Sequence, residues 1–240
     1  MLARTFVRLV SPSLQVSYFH RIAMLTTDTS ATQSDKKPSQ TMTKQNLLEL
    51  ILDDHKEIRA FCKQVQSTEP KESIKWLHQL TWEVARHSVA EELILYPLME
   101  KELGDEGRRM ADSSRYDHQR TKEDLQFLEN ATTLEDPEYM SRYVRMADEL
   151  LEHLDKEERD DIAHVRKFVS EELLMEAAKD FKRTKHFVPT RPHPEMSQKP
   201  LFETPYSLIV TPIDKLRDMF RSFPDHDKVE EVEARATGHK

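Results

Sequence analysis

Hydrophobic side chains recur between residues 44 and 187 at alternating spacings of three and four, the repeat of a helix face that packs in a bundle. Four such faces follow one another, and each contains one histidine where a core leucine is expected. Their residues are Leu48, Leu52, His55, Ile58, Cys62 and Val65; Leu77, Leu80, Val84, His87, Glu91, Ile94 and Leu98; Ala111, Ser114, His118, Thr121, Leu125 and Leu128; and Tyr139, Tyr143, Met146, Leu150, His153 and Glu157. Because the connections are short, the pattern predicts an all-α, up-down-up-down four-helix bundle over residues 44–187.

Prolines and glycines predict where these helices begin, bend and end. The second helix follows Pro70, and Pro97 should kink it because proline lacks a backbone N–H. Gly104 and Gly107 predict an exit turn, with the third helix running from about 108 to 130. The fourth helix begins after Asp136-Pro137.

A further helix and an extension follow the bundle. Ser170 and the two glutamates after it predict the N-terminus of a fifth helix that reaches about residue 187. The prolines between 188 and 201 exclude regular helix there and favour an extended proline-rich strip on the surface. Residues 206–223 predict one short amphipathic helix, and the charged tail, 225–240, is expected to fray. We therefore treat residues 188–240 as a C-terminal extension.

The first 43 residues have a different composition. Residues 1–27 contain no acidic residue, and their arginines and apolar residues separate on a helical wheel, which is typical of a mitochondrial transit peptide. The alternative is a basic tail without a targeting role in a cytoplasmic protein. Residues 28–43 are rich in Ser, Thr, Gln and Lys and predict a disordered linker.

Composition limits the classes of function. Only 3 of 240 residues are glycine, fewer than a β-rich fold would use in its turns. The net charge of −8 argues against a nucleic-acid surface, and no apolar run approaches the ~20 residues of a membrane-spanning helix. Cys62, the only cysteine, excludes an internal disulfide. The oligomeric state stays open.

The four core histidines are the main functional signal, because an imidazole buried without a partner is costly. His87 and His153 each carry a glutamate four residues later, Glu91 and Glu157, on the same helix face. With His55 and His118 they offer four nitrogens and two carboxylates. This set fits a dinuclear transition-metal centre with open coordination positions and exceeds the four ligands of a closed zinc site.

A hydrogen-bonded core histidine is the ordinary interpretation of one such residue, but four of them, two with paired carboxylates, favour metal binding. Glu92 and Glu158 are interpreted as surface charges beside the two glutamate ligands. His164 lies eleven residues beyond His153, ~16 Å along the helix, too far to share the site. The histidines interpreted as solvent-facing are His78, His186, His193, His226 and His239.

At these residues the chain resembles the hemerythrin family, in particular its HHE cation-binding branch. The motifs are Asp54-His55, His87-Ser-Val-Ala-Glu91-Glu92 with Tyr96-Pro97 after it, Asp117-His118, and His153-Leu-Asp-Lys-Glu157-Glu158, between about residues 47 and 166. The C-terminal segments around 189–194 and 211–216 are similar to extensions of fungal members. The resemblance implies an oxygen-bridged non-haem di-iron site, in which the four histidines are terminal ligands and Glu91 and Glu157 are bridges. Manganese and zinc remain alternatives.

The chain departs from the oxygen-carrying hemerythrins at two positions. Those proteins have a further histidine where this chain has Lys122, and they end in a His-x-x-x-x-Asp pair where this chain has Glu157 and Glu158. One fewer nitrogen predicts an open or water-filled position on one iron. Reversible oxygen carriage is therefore only one alternative for this chain.

Three functions are compatible with these residues. The first is a non-catalytic iron protein that binds dioxygen, or a related diatomic ligand such as nitric oxide, for sensing, storage or detoxification. The second is a di-iron oxidase or peroxidase, although neither a substrate pocket nor a general acid is evident from the sequence. The third is a scaffold that the metal only stabilises.

Overall fold

The structure, a computed structural model, describes residues 45–194, Asp214, Asp218 and residues 221–238. The predicted transit peptide and linker lie outside the described residues, as does nearly all of the helix predicted at 206–223. Among the described residues, no helix is both long and apolar enough to cross a membrane.

The described residues form helices and contain no strand. In chain order the α-helices are α1 (Leu47–Ser67), α2 (Pro70–Ala90), α3 (Tyr96–Leu128), α4 (Pro137–Lys156), α5 (Ala163–Phe168), α6 (Glu171–Lys185) and α7 (His226–Thr237). Two π-helical segments join neighbouring helices, Glu91–Leu95 between α2 and α3 and Glu157–Ile162 between α4 and α5. The predicted all-α bundle and its additional helix, α6, are confirmed.

The start of α1 is fixed by a reciprocal cap. The Asn46 side chain accepts a hydrogen bond from the Glu49 backbone N–H at 3.1 Å, and the Glu49 carboxylate accepts one from the Asn46 backbone at 2.9 Å. Asn46 also donates to Glu171, the first residue of α6, at 3.0 Å. Ser170 caps α6 as predicted, by accepting from the backbone N–H of Leu173. The N-termini of α1 and α6 are therefore tied together.

The core has two apolar clusters with a polar layer between them. In α1, residues 47–51 belong to one cluster and 58–65 to the other. The same change occurs along α2, where residues 76–84 belong to the second cluster and Ala90 to the first. The four histidines of the sequence pattern lie where the clusters meet, and their side chains are at most 4% exposed. The bundle thus encloses a polar layer between two apolar halves.

The predicted turn at the glycines takes the form of a break within α3. Gly104 has φ 62 and ψ −133, a conformation that side chains other than glycine rarely adopt. At Gly107 a Cβ atom would lie 2.0 Å from the backbone oxygen of Met99, so only glycine fits. The irregularity predicted at Pro97 lies just before it, in the π-helical segment, where the Tyr96 N–H bonds to the Glu91 carbonyl five residues back.

The C-terminal extension packs on the bundle. Val188, Pro189 and Thr190 are buried, and residues 188–194 form neither helix nor strand. Gln119 of α3 donates to the backbone oxygen of Pro194 at 3.1 Å. These contacts hold the strip against the bundle.

The expectation that residues 225–240 fray is wrong for the segment that forms α7. Helix α7 packs on α1, and its Val229 and Val232 lie against one of the apolar clusters. Gly238 ends the helix in the left-handed conformation with φ 75. The two valines, three positions apart, lie on one face of this mostly charged helix and pack against the bundle.

Candidate metal centre

The six residues singled out in the sequence come together in the polar layer. Their potential ligand atoms form two groups, His55, His87, Glu91 and Glu157 in one, and Glu91, His118 and His153 in the other. Within each group the ligand atoms lie within 4.8 Å of one another, and all six residues are buried. The structure therefore places the residues as a two-centre cluster with Glu91 in common.

Glu91 lies at the middle of this cluster. Its Oε2 lies 3.3 Å from Nε2 of His87 and 3.4 Å from Nε2 of His118, and its Oε1 lies 3.9 Å from Nε2 of His55. Three helices thus direct imidazole nitrogens at one carboxylate.

Glu157 occupies the equivalent place on the other side. Its Oε2 lies 3.4 Å from Nε2 of His55 and 4.0 Å from Nε2 of His153. Both glutamates therefore lie between a histidine of the first half of the bundle and a histidine of the second half, the place that a carboxylate joining two cations would take.

Most of these atoms lack a hydrogen-bond partner. Eight of the ten buried side-chain N and O atoms without one, among the described residues, belong to the cluster: Nε2 of His55, His87 and His153, Nδ1 of His153, and all four carboxylate oxygens of Glu91 and Glu157. Buried polar atoms without partners are costly, and natural proteins rarely concentrate them. A set of imidazole nitrogens and carboxylate oxygens left open in this way fits transition-metal cations.

A π-helical segment begins at each glutamate and changes which of the later residues face the cluster. Glu91 and Glu157 are the first residues of the two π-helical segments. A π turn inserts a residue into the helix, rotates the face presented by the next turn, and is frequent at functional sites. The spacing of four from histidine to glutamate was readable in the sequence, whereas the wider turn after each glutamate was not.

A second layer of carboxylates supports the histidines. Nδ1 of His55 lies 2.9 Å from Glu158, and Nδ1 of His118 lies 3.1 Å from Glu92. Each of these glutamates directly follows a glutamate of the cluster in the chain. The interpretation of Glu92 and Glu158 as surface charges is therefore wrong: Glu92 is buried, and Glu158 is part-buried against His55.

Asp54 and Asp117 directly precede His55 and His118 in the chain, but each contacts a different histidine, on the next helix. Oδ2 of Asp54 lies 3.2 Å from Nδ1 of His87, and Oδ2 of Asp117 lies 3.4 Å from Nδ1 of His153. A carboxylate at Nδ1 fixes the ring and leaves Nε2 to face the cluster. All four histidines thus have a carboxylate near Nδ1 and direct Nε2 inward. The carboxylate is hydrogen-bonded to His55, His87 and His118, whereas Asp117 lies 3.4 Å from His153 without a hydrogen bond.

Each outer carboxylate in turn contacts a cationic side chain. The pairs are Asp54 with Lys185 at 2.7 Å, Glu92 with Lys122 at 2.6 Å, Glu158 with Arg59 at 2.7 Å, and Asp117 with Lys156 at 3.2 Å. The first two pairs are nearly buried, whereas the other two are about one-third exposed. Four chains of histidine, carboxylate and cation therefore surround the cluster.

The charges of the cluster alter its titration. Burial lowers the pKa of His118, but its contacts with Glu91 and Glu92 outweigh burial and raise the pKa to about 9. Burial alone would raise the pKa of Glu91, yet His87, His118 and His55 hold it well below its usual value. The hydrogen bond from His55 lowers the pKa of Glu158 to about 2. Dense negative charge at the centre thus favours any positive charge placed there.

Tyr96 is a site residue whose role the sequence did not indicate. Its hydroxyl lies 3.1 Å from Nε2 of His118, and its side chain is fully buried. Burial raises the pKa of this phenol well above its usual value, so it stays protonated. Its place directly after the first π-helical segment brings it back to the cluster.

The other histidines lie away from the cluster. His164 lies 3.4 Å from Glu106 and belongs to neither group, as its spacing predicted. His226 is exposed, as expected. The interpretation of His78 and His193 as solvent-facing is wrong: His78 contacts the Ser222 carbonyl at 2.9 Å, and His193 contacts Asp214 at 2.8 Å, both in the C-terminal extension. His239 lies outside the described residues.

Comparison with known proteins agrees with these motifs. The hemerythrin HHE cation binding domain matches residues 46–165. An uncharacterized hemerythrin-like protein from Schizosaccharomyces pombe is 40% identical over 179 residues, 72% of this chain and 86% of that protein. A DNA nickase from Nostoc is 26% identical over 147 residues, 61% of this chain but only 41% of the nickase. No solved structure matches the chain. The chain therefore belongs to the hemerythrin HHE cation-binding domain family.

Proposed function

We propose that the six residues His55, His87, Glu91, His118, His153 and Glu157 hold two iron ions, with Glu91 and Glu157 shared between them. The protein would bind dioxygen, or a related small molecule such as nitric oxide, for sensing, storage or detoxification. The observation that carries this proposal is the pair of ligand groups with Glu91 in common, in which eight buried atoms lack a partner. Two ferrous ions would supply electrons and an open coordination position for a diatomic ligand.

The donor set supports iron over a closed zinc site. Four imidazoles and two carboxylates exceed the four ligands of structural zinc and leave room for a small ligand. Manganese takes similar ligands, so metal analysis of protein purified without added metal distinguishes the candidates. We expect iron to be the main metal, and zinc or manganese at two ions per chain would contradict the assignment.

The surroundings suit a small ligand. The cluster lies between two apolar halves of the core, which keep bulk water away from it. A cavity of about 20 Å³, enough for one water molecule, is lined by Glu92 and Lys122 of the outer layer and by Pro189 and His193 of the strip, but by none of the six cluster residues. The burial of the cluster between these halves therefore favours a small ligand over a bulky substrate.

Oxygen titration tests the proposal. Anaerobic protein loaded with ferrous iron and then mixed with dioxygen should give a visible absorption band that bleaches on degassing. A band that decays irreversibly while an added reductant is oxidised would favour an enzyme. The absence of any band, together with a lower melting temperature after metal removal, would leave only a scaffold.

The alternative of a di-iron oxidase or peroxidase is favoured by one observation. The Tyr96 hydroxyl, a buried proton donor, lies 3.1 Å from Nε2 of His118. If the protein is such an enzyme, Tyr96→Phe should slow turnover while the iron content stays unchanged. Reductant oxidation at the wild-type rate in this variant would remove the structural reason for this alternative.

The similarity to a DNA nickase does not lead us to propose DNA cleavage. The shared segment covers 41% of that protein, and this chain has a net charge of −8.

We also propose mitochondrial import, based on the composition of residues 1–27. Microscopy of the chain with a C-terminal fluorescent tag, with and without residues 1–27, tests this proposal; cytoplasmic signal from both forms would contradict it.

A further inference from the structure

Three of the four cations around the cluster lie within the segment that matches the family, residues 46–165, and one does not. Lys185 is the last residue of α6, a helix that follows the matched segment. Its ammonium group nevertheless reaches the outer layer of the metal cluster. This contact connects a helix outside the matched domain to the candidate metal ligands.

The contact is close and buried. Nζ of Lys185 lies 2.7 Å from Oδ2 of Asp54 and 2.5 Å from Oε1 of Glu83, and the Lys185 side chain is 13% exposed. The same Oδ2 of Asp54 lies 3.2 Å from Nδ1 of His87. One carboxylate oxygen therefore receives both the lysine and the histidine.

Helix α6 is anchored so that Lys185 has little freedom. At its N-terminus Glu171 accepts a hydrogen bond from Asn46 of α1. Along its length Leu174, Ala178 and Phe181 are buried in an apolar cluster shared with α1. At its C-terminus the backbone oxygen of Lys185 accepts a hydrogen bond from Nε of Arg86 at 3.0 Å. The helix thus presents its last side chain at a fixed point.

We infer that Lys185 is a positioning residue of the metal centre: it holds Asp54, and through Asp54 the ring of His87, in the orientation that binds metal. This inference rests on the proposed metal site. A histidine ligand binds well only when its second nitrogen is fixed by a partner, and loss of such outer partners typically costs 10–100-fold in metal affinity. Helix α6 is then part of the metal site as well as of the hydrophobic core.

The test measures ferrous iron affinity of the full chain under anaerobic conditions, by competition with a chromogenic chelator. Lys185→Met should lower the affinity for one of the two iron ions about tenfold, the lower end of the range for loss of an outer partner. Lys182→Met, an exposed position on the same helix, is the matched control and should bind as the wild type does. Lys185→Arg retains a cation and should restore most of the affinity.

Lys185→Met also leaves Glu83 without its ammonium partner, which could destabilise the fold. Lys185→Met with Glu83→Gln removes that excess charge, and it should still show the tenfold loss of affinity. The double variant therefore keeps the inference testable if the single variant does not fold. Wild-type affinity in the folded double variant would overturn the inference.

A mutant cycle separates positioning from general destabilisation. In a His87→Ala background the ring is absent, so Lys185→Met should change the affinity of the remaining ion by less than about twofold. In a His153→Ala background, Lys185→Met should still lower the affinity for the remaining ion about tenfold. Equal losses in both backgrounds would show a merely structural role. Wild-type protein that binds no iron would instead contradict the proposed metal site itself.

Discussion

The ammonium group of Lys122 lies 2.6 Å and 2.9 Å from the two carboxylate oxygens of Glu92, and both side chains are buried. Lys122 occupies the position at which the resemblance to oxygen-carrying hemerythrins leads one to expect a fifth histidine. In this chain the position holds a cation that contacts Glu92, the outer carboxylate of His118. Lys122 therefore supports the ligand His118 through Glu92, at a position where oxygen-carrying hemerythrins have another histidine ligand.

Lys122→Met should lower the free energy of unfolding by about 3 kcal/mol, because it leaves the buried Glu92 carboxylate with only the His118 imidazole as a partner. Chemical denaturation of the metal-free protein measures this change. Combining Lys122→Met with Glu92→Gln should recover most of the loss. A single variant within about 0.5 kcal/mol of the wild type would show that the ion pair has little effect on stability.

His87→Ala should lower bound iron sharply, from about two ions per chain towards one. This substitution removes the nitrogen that lies 3.3 Å from Glu91. His164→Ala is the control, since His164 belongs to neither ligand group and should leave the iron content unchanged. Elemental analysis of the two variants gives the comparison, and an unaltered iron-to-protein ratio in His87→Ala contradicts the ligand assignment.

The two glycines of α3 should differ in their tolerance of alanine. At Gly107 a Cβ would meet the Met99 backbone at 2.0 Å, so Gly107→Ala should lower the free energy of unfolding by about 3 kcal/mol. At Gly104 nothing lies within 4 Å of the added atom, and only the backbone conformation, φ 62 and ψ −133, opposes it, at a cost of about 2 kcal/mol. Thermal unfolding of both variants tests this order, and greater damage from Gly104→Ala would reverse it.

Asp161 gives a pH-dependent prediction. Burial, together with the nearby charge of Glu157, raises the pKa of this acid from 3.8 to about 6, while Ser114 donates a hydrogen bond to it. Because folding raises the pKa, the ionised carboxylate destabilises the folded state above about pH 6, and this cost disappears below about pH 4.

Asp161→Asn should therefore stabilise the metal-free protein by about 2 kcal/mol at pH 7 and have little effect at pH 3.5. Asparagine can still accept the hydrogen bond from Ser114. Urea denaturation at both pH values measures the difference. Equal effects at the two pH values would show that ionisation of Asp161 is not the cause.

Much of the fold was predictable because helix periodicity and capping are local. The alternation of apolar spacings predicted the bundle, and Ser170 predicted the start of α6. The tail was misjudged because its apolar residues, Val229 and Val232, become informative only when α1 lies beside them. Docking of a weakly amphipathic segment depends on its tertiary neighbour, which local patterns do not contain.

The candidate site was predictable for similar reasons, but only in its inner layer. His-x-x-x-Glu spacing places both side chains on one helix face, and this identified Glu91 and Glu157. The outer layer depends on contacts between helices. Glu92 was interpreted as a surface charge, and a single sequence contains no signal that pairs Lys185 with Asp54, 131 residues earlier.

The amount of iron bound per chain after anaerobic loading, measured in the wild type and in Glu91→Ala, tests most directly the claim that two metals share the Glu91 carboxylate. Of the six cluster residues, only Glu91 belongs to both ligand groups, so its removal should lower the binding of both ions. We predict about two iron ions in the wild type, far fewer than one in Glu91→Ala, and about two in the exposed control Glu152→Ala. Two ions retained by folded Glu91→Ala would contradict the account.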